Sequence, residues 1–288
     1  MHRLTLVLSL FLLVGCSKSK EESATGSAER PLEHIEVQAE SISLQWRAPQ
    51  KGDVLQVASE NLIELDITVD TKQGSKKQSE TKKGKKEYEI RILSVENETI
   101  KELEIEFGAY VENDNTRAAQ GRTYVVSYAD DKIAKIARSD GTSVPTFEAD
   151  YVRSEVRSMG RSNPIERRLS GKTLQPGEPI ELTEEDRQAF LEDEDAPEGE
   201  LKMHYRGVTE KEGVKLGVIG IEGTMKKSKE GVDTSIKIEG DGLFEPTSGL
   251  MVETRMWGDI EVSGRSFGRI VKGSGTMSGS KQTFAPSE

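Results

Sequence analysis

Residue types that carry chemistry are scarce in this chain. Among 288 residues there is one cysteine, Cys16, and there are three histidines, His2, His34 and His204. A lone cysteine forms no intramolecular disulfide. His34 lies near the N-terminus, and His204 by itself makes no multi-histidine zinc site and would have to be recruited into any serine triad. It sits between Met203 and Tyr205 on the polar side of an alternating stretch, the place of a solvated strand histidine. No G-x-S-x-G elbow or Walker A loop is present. Gly273-Ser274-Gly275 begins a tract with the wrong spacing for a phosphate loop and no helix after it. Glu112-Asn113-Asp114-Asn115 offers oxygen ligands but lacks the glycine and closing glutamate of an EF-hand loop, so it reads as a polar hairpin turn. Glu192-Asp193-Glu194-Asp195 reads as a solvated helix end. With 51 Asp+Glu, no acid pair stands out for glycosidase-type work, which needs two carboxyls at a set separation. A hydrolase using clustered carboxylates and His204 is the alternative reading. No catalytic residue, metal ligand or cofactor is assigned.

The sharpest charged feature is Lys72–Lys86, where Lys72, Lys76, Lys77, Lys82, Lys83, Lys85 and Lys86 are accompanied by one acid. It is expected to be a basic hairpin loop between two patterned strands. It serves either as a soluble turn or as a contact for anionic polymer or lipid headgroups, each lysine near an anionic membrane contributing about 1 kcal/mol. The chain as a whole is acidic, with 40 Lys+Arg and a formal charge of -11. That excludes a general nucleic-acid binder, which needs a basic surface. A composition of 34% hydrophobic and 32% charged residues excludes a multi-span membrane protein.

The N-terminus reads MHRLTLVLSLFLLVGC, a short positive end followed by an apolar run from Leu4 to Val14. The run is too short for a bilayer core, which needs about 20 residues, and fits the apolar region of a secretory signal peptide. Leu13-Val14-Gly15-Cys16 resembles the lipobox of bacterial lipoproteins. The resemblance implies cleavage between Gly15 and Cys16, a lipid on the Cys16 sulfur and acylation of the new amino terminus, and more than one acyl chain makes a stable anchor. Loss of residues 1–15, which hold Arg3 and no acid, takes the formal charge from -11 to -12. Residues 16–38 then form the lipidated cysteine and a polar, flexible tether. In the same family, Ser17 after the cysteine implies an outer membrane location facing the periplasm rather than the inner membrane or the cell surface.

The body reads as strands. Leu55, Val57, Ile63, Leu65, Ile67 and Val69 take odd positions while Glu64, Asp66, Thr68 and Asp70 take even ones, so one face is buried and the other wet. Leu103, Ile105 and Phe107 repeat the pattern, as do Tyr124, Val126 and Tyr128, and Leu201, Met203 and Tyr205. Tyr88, Ile90 and Ile92 change phase at Leu93 and Val95, which suggests a bulge. Short polar turns between strands predict an antiparallel meander. Two helices interrupt it, one over 146–159 with Thr146 as N-cap, and one opened by Thr183-Glu184-Glu185-Asp186. The expected class is mainly β with minor α. It is a large twisted antiparallel meander or half-barrel in two strand-rich halves, 39–160 and 200–285, joined by a loop and short helix over 161–199. Glycines crowd the second half, where they mark bulges, bends or close backbone approach.

The body also resembles β-rich bacterial envelope lipoproteins, through the tract Leu169-Ser-Gly-Lys-Thr-Leu-Gln-Pro-Gly-Glu-Pro and through Gly240-Asp-Gly-Leu-Phe-Glu-Pro-Thr-Ser-Gly-Leu. The expected function is that of a membrane-anchored, non-catalytic envelope lipoprotein with a binding or scaffolding role. Its sheet would hold a lipid, another apolar ligand or an envelope polymer, and nucleic acid is not an expected partner. The alternative is an envelope hydrolase.

Overall fold

The computed structural model describes residues 33–72, 74–130, 132–157, 159–160, 169–183, 198–229, 231–266 and 269–285. In chain order the elements are β1 (Ile42–Ser43), β2 (Val54–Thr71), β3 (Gly74–Glu96), β4 (Thr99–Glu112), β5 (Asn115–Thr116), β6 (Thr123–Ala129), β7 (Lys132–Arg138) and α1 (Thr146–Val156). They continue with β8 (Thr173–Leu174), β9 (Pro179–Ile180), β10 (Glu198–Lys211), β11 (Val214–Lys229), β12 (Val232–Phe244), β13 (Met251–Ser266) and β14 (Arg269–Phe284). Alternation drives the long strands into pairs, and tight polar turns reverse them. Asn97-Glu98, Asn113-Asp114 and Glu212-Gly213 all have both central residues at positive φ, the backbone that matches hairpin twist. The second of these turns is the acidic stretch weighed above as a cation loop.

Among the described residues all but two strands form one open antiparallel sheet of 12 strands, in the order β7-β6-β4-β3-β2-β14-β13-β12-β11-β10-β9, with β5 beside β4. β1 and β8 make a separate two-stranded piece. The C-terminal strand β14 pairs with the first long strand β2 along Phe284↔Gln56 to Ile270↔Asp70, with no register shift. That pairing joins the two strand-rich halves edge to edge. The phase change after Ile92 is a real irregularity, with register shifts against β4 at Ile92/Ser94 and Ser94/Val95, and a further shift lies at Lys86/Tyr88.

Because the β2–β14 register is unbroken, the odd residues of β2 all lie on one face. Leu55 and Val57 join a core with Tyr88, Ile90, Leu103, Phe107, Tyr124 and the α1 residues Val152 and Val156. Ile63, on the same face, joins a second core with Tyr205, Ile221, Ile236, Met256, Ile260 and Met277. We call this the helix face. Val152 and Val156 are fully buried, and burial of such a side chain stabilises by about 1.5–3 kcal/mol. A small third cluster, Leu216, Val218 and Leu243, lies on the opposite face under Ile35 and Val37.

Several expectations are corrected. The first helix ends at Val156 rather than 159, and Pro145, not Thr146, occupies the cap position, without a side-chain cap. Gly160, just beyond the helix, is needed for packing, since a Cβ there would lie 2.2 Å from the Tyr128 ring. The helix expected from Thr183, together with Glu192–Asp195, falls outside the described residues. The tether does not run free to residue 38. Gln38 bridges Val208, and Ile35 and Val37 cover the third cluster, because their alternation supplies apolar side chains that dock on the sheet. Lys72–Lys86 is not a loop. β2 and β3 extend to Thr71 and Gly74 around a short turn, so most of these lysines lie on a strand, held there by ladder bonds to β2 from Lys76↔Val69 to Lys86↔Ser59. Lysine is a common guard of strand edges, and among the described residues 74–82 have no partner strand on their outer side.

Candidate functional site

Where the two cores meet, at the middle of the helix face, lies a polar island. Lys86 of β3, Lys281 and Thr283 of β14, and Thr254 of β13 share the face with Glu155 from the last turn of α1. The Lys86 Nζ donates to Glu155 Oε1 at 2.6 Å and sits 5.2 Å from the centre of the Tyr110 ring. Burial would raise the Glu155 pKa, but the charges of Lys86 and Lys281 and hydrogen bonds from Lys86 and Tyr88 outweigh it, and the carboxyl is held below its ordinary value. Burial would lower the Lys86 pKa, but Glu155 outweighs it and the ammonium is driven up. Lys86 is therefore committed to pinning α1 to the sheet, which removes it from the lysines available at a surface.

Three further buried carboxylates act in the same manner. Glu148, in the first turn of α1, receives Arg138 Nη2 at 2.6 Å, the Tyr124 hydroxyl at 2.9 Å and a guanidinium hydrogen bond from Arg122. Burial would raise its pKa, yet the hydrogen bonds from Arg138, Tyr124 and Arg122 leave it lowered. Glu253 accepts from Lys211 at 2.6 Å and from Arg255, and these hydrogen bonds again outweigh burial and lower the pKa. Asp241, fully buried, accepts from Arg206 at 2.6 Å and from the Ile35 backbone N–H at 2.6 Å, with His34 Nδ1 at 3.2 Å. His34 also packs edge-on against Trp257. A general acid needs a raised pKa, and the shifts of Glu148, Glu155 and Glu253 run the other way. Among the described residues no group of three or more His, Cys, Asp or Glu is arranged to hold a metal ion.

At one end of the sheet a hollow of about 340 Å³ opens between β9 and β10. Ile180, Leu182, Leu201 and Met203 form its apolar wall, with Glu181, Lys202, His204 and Glu222 also lining it. His204 lies over Gly220, where a Cβ would come within 2.5 Å of its ring, and Glu222 is exposed. The volume is at the small end of ligand sites, and the apolar lining is typical of them.

The remaining lysines divide by strand alternation. Lys76 and Lys82 lie on the helix face opposite Val69 and Ile63, whereas Lys77, Lys83 and Lys85 lie on the other face opposite Thr68, Leu62 and Glu60. Lys82 pairs with Glu80 at 3.1 Å and Lys85 with Glu87 at 3.0 Å. Lys72 is exposed at the turn. Gly15 and Cys16 lie outside the described residues. The sequence reading missed Lys281, Thr254 and Glu155, because only the tertiary pairing of β2 with β14 brings them together. Their one sequence signal was a charge or hydroxyl at an inward position of a patterned strand or helix.

No family model matches the chain, and no curated protein matches it. Among solved structures, a lipovitellin structure concerned with lipid–protein interactions is similar over 83% of this chain, at 9% identity and a TM-score of 0.38. The chain spans 26% of that protein's length. A DUF1329 family protein from Desulfovibrio piger is similar over 75% of this chain and 83% of its own, at 10% identity and a TM-score of 0.15. A Vibrio parahaemolyticus domain described as an outer membrane lipoprotein-sorting protein domain gives the same coverages at 10% identity and a TM-score of 0.16. Similarity at this level transfers neither a site nor an activity.

Proposed function

We propose that the protein is a lipid-anchored, non-catalytic component of the bacterial cell envelope that holds a lipid or other apolar ligand against its open sheet. The observation that carries the ligand reading is the apolar-walled hollow of about 340 Å³ beside β9 and β10. The described buried carboxylates are all engaged with cations, which favours binding over acid–base chemistry. The anchor rests on Leu13-Val14-Gly15-Cys16, with the outer membrane, periplasmic side, as the favoured location. Among the described residues no helix is long and apolar enough to cross a membrane.

Cys16→Ser is the test of both parts. With residues 1–15 replaced by an ordinary cleaved secretory leader and the membranes washed with about 1 M salt, which screens charge contacts, the variant is expected to move from the membrane fraction to the soluble fraction, and native mass spectrometry of it is expected to show a discrete lipid-sized adduct. Retention in the membrane fraction rules out the anchor. An adduct-free spectrum rules out the carrier and leaves a scaffold.

A further inference from the structure

The far end of the helix face, where the β2–β3, β13–β14 and β11–β12 hairpins turn, combines half-buried apolar residues with framing lysines. One row of hydrogen-bonded partners across six strands reads Lys76, Val69, Val271, Gly264, Val232, Lys229. The next reads Gln78, Ile67, Gly273, Val262, Thr234, Lys227. Each row is apolar or small in the middle with a lysine at one or both ends, and the valines and Ile67 stay half-buried while Lys76 and Lys229 are exposed. Between Lys76 and Lys229 lie five strand spacings, roughly 24 Å. The back of the same rows is different. Lys77, Thr68, Lys272, Ser263, Asp233 and Ser228 form one row, and Ser79, Asp66, Ser274, Glu261, Ser235 and Lys226 the other, with hydroxyls and acids among the cations.

We propose that this end of the helix face docks on the surface of an anionic lipid bilayer, the valines and Ile67 entering the headgroup boundary while Lys76 and Lys229 meet lipid phosphates. The strip ends on β11, where Lys227 lies five residues along the strand from Glu222 in the lining of the hollow, roughly 17 Å, so it is a surface distinct from the ligand site proposed there. Two features select a bilayer over the other occupants. The strip is broad, whereas a single acyl chain needs a walled groove. A second copy stacked on it would set its framing lysines against lysines of the same sign, whereas lipid tails and phosphates complement both parts of the pattern.

The test uses residues 16–288 carrying Cys16→Ser, so that neither the apolar run Leu4–Val14 nor a covalent anchor plays a part, sedimented with phosphatidylglycerol/phosphatidylcholine vesicles at about 0.1 M salt. Partition into these vesicles but not into pure phosphatidylcholine is expected. At about five-fold per lysine, Lys76→Gln with Lys229→Gln should lower the partition about 25-fold. Lys77→Gln with Lys83→Gln, from the same basic run but on the opposite face, should change it less than about two-fold. All four positions are exposed, and circular dichroism confirms that each variant is folded. Equal losses in the two double variants would reduce the effect to diffuse charge and overturn the proposal. So would absence of vesicle binding, with or without self-association in sedimentation velocity.

Discussion

Glu155→Gln is the substitution on which the account of the polar island depends. The wild-type carboxylate is 9% exposed and faces the Lys86 ammonium at 2.6 Å, with Lys281 as a second cation within electrostatic reach. Glutamine keeps the shape and removes the charge, leaving two cations at the junction of two apolar cores. At an effective dielectric constant of about 20, unit charges roughly 4 Å apart attract by about 4 kcal/mol. Breaking a buried pair on one side costs about 3–5 kcal/mol. We expect a loss of about 4 kcal/mol, or a fall in Tm of about 10 °C at 2–4 °C per kcal/mol for a chain of this size class. Guanidinium unfolding followed by far-UV circular dichroism measures it. The sign of the pH dependence follows from the lowered carboxyl pKa. The stabilisation is complete above the unfolded value of about 4.3, and is lost as pH falls through the lowered folded value. Lys86, whose pKa is raised, stays charged throughout that range. The gap between wild type and variant should therefore be widest from pH 6 upward and close toward pH 3. The double variant Lys86→Met/Glu155→Leu should cost less than Glu155→Gln, since apolar replacement leaves one fewer uncompensated charge. A loss under about 1 kcal/mol, or a gap that does not shrink in acid, would refute the assignment of Glu155 as the counter-charge of the island.

Two other perturbations address the frame around the sites. Asp241→Asn removes the charge that holds the Ile35 N–H, His34 and Arg206. A Glu-specific protease should then cleave after Glu36 and Glu40 about ten-fold faster or more, since hydrogen bonds to a charged group contribute about 1.5–3 kcal/mol, and an unchanged rate would show that Ile35 and Val37 hold the segment alone. Gly275→Ala would put a Cβ 2.0 Å from the Glu64 carbonyl oxygen, forcing β14 from β2 at about 1–3 kcal/mol. Equal denaturation midpoints for Gly275→Ala and wild type would argue against that close approach.

The class of fold was open to sequence reading because strand alternation is local. Leu55 to Val69 identifies an inward set whatever the strand pairs with, and the phase change after Ile92 announces a bulge before any partner is known. Glycine crowding in the second half likewise meant what it suggested at Gly258 and Gly275, where backbone from the next strand lies within 2.1 Å and 2.0 Å of a would-be Cβ. The basic run deceived because charge density alone resembles a loop, while the hydrogen-bond ladder to β2 makes it a strand and deals its lysines to two faces.

What the sequence determined by itself was the mainly β class and the inward set of the strands that alternate clearly, such as Leu55 to Val69. What only the tertiary structure decided was which inward residues meet. The β2–β14 pairing joins positions some 200 residues apart, and through it Glu155 finds Lys86 near Lys281, and Val69 lines up with Val271, Val232 and two framing lysines. A register is a sum of many weak contacts between distant segments, so no local window contains it, and a slip of one residue would turn every one of these side chains to the other face.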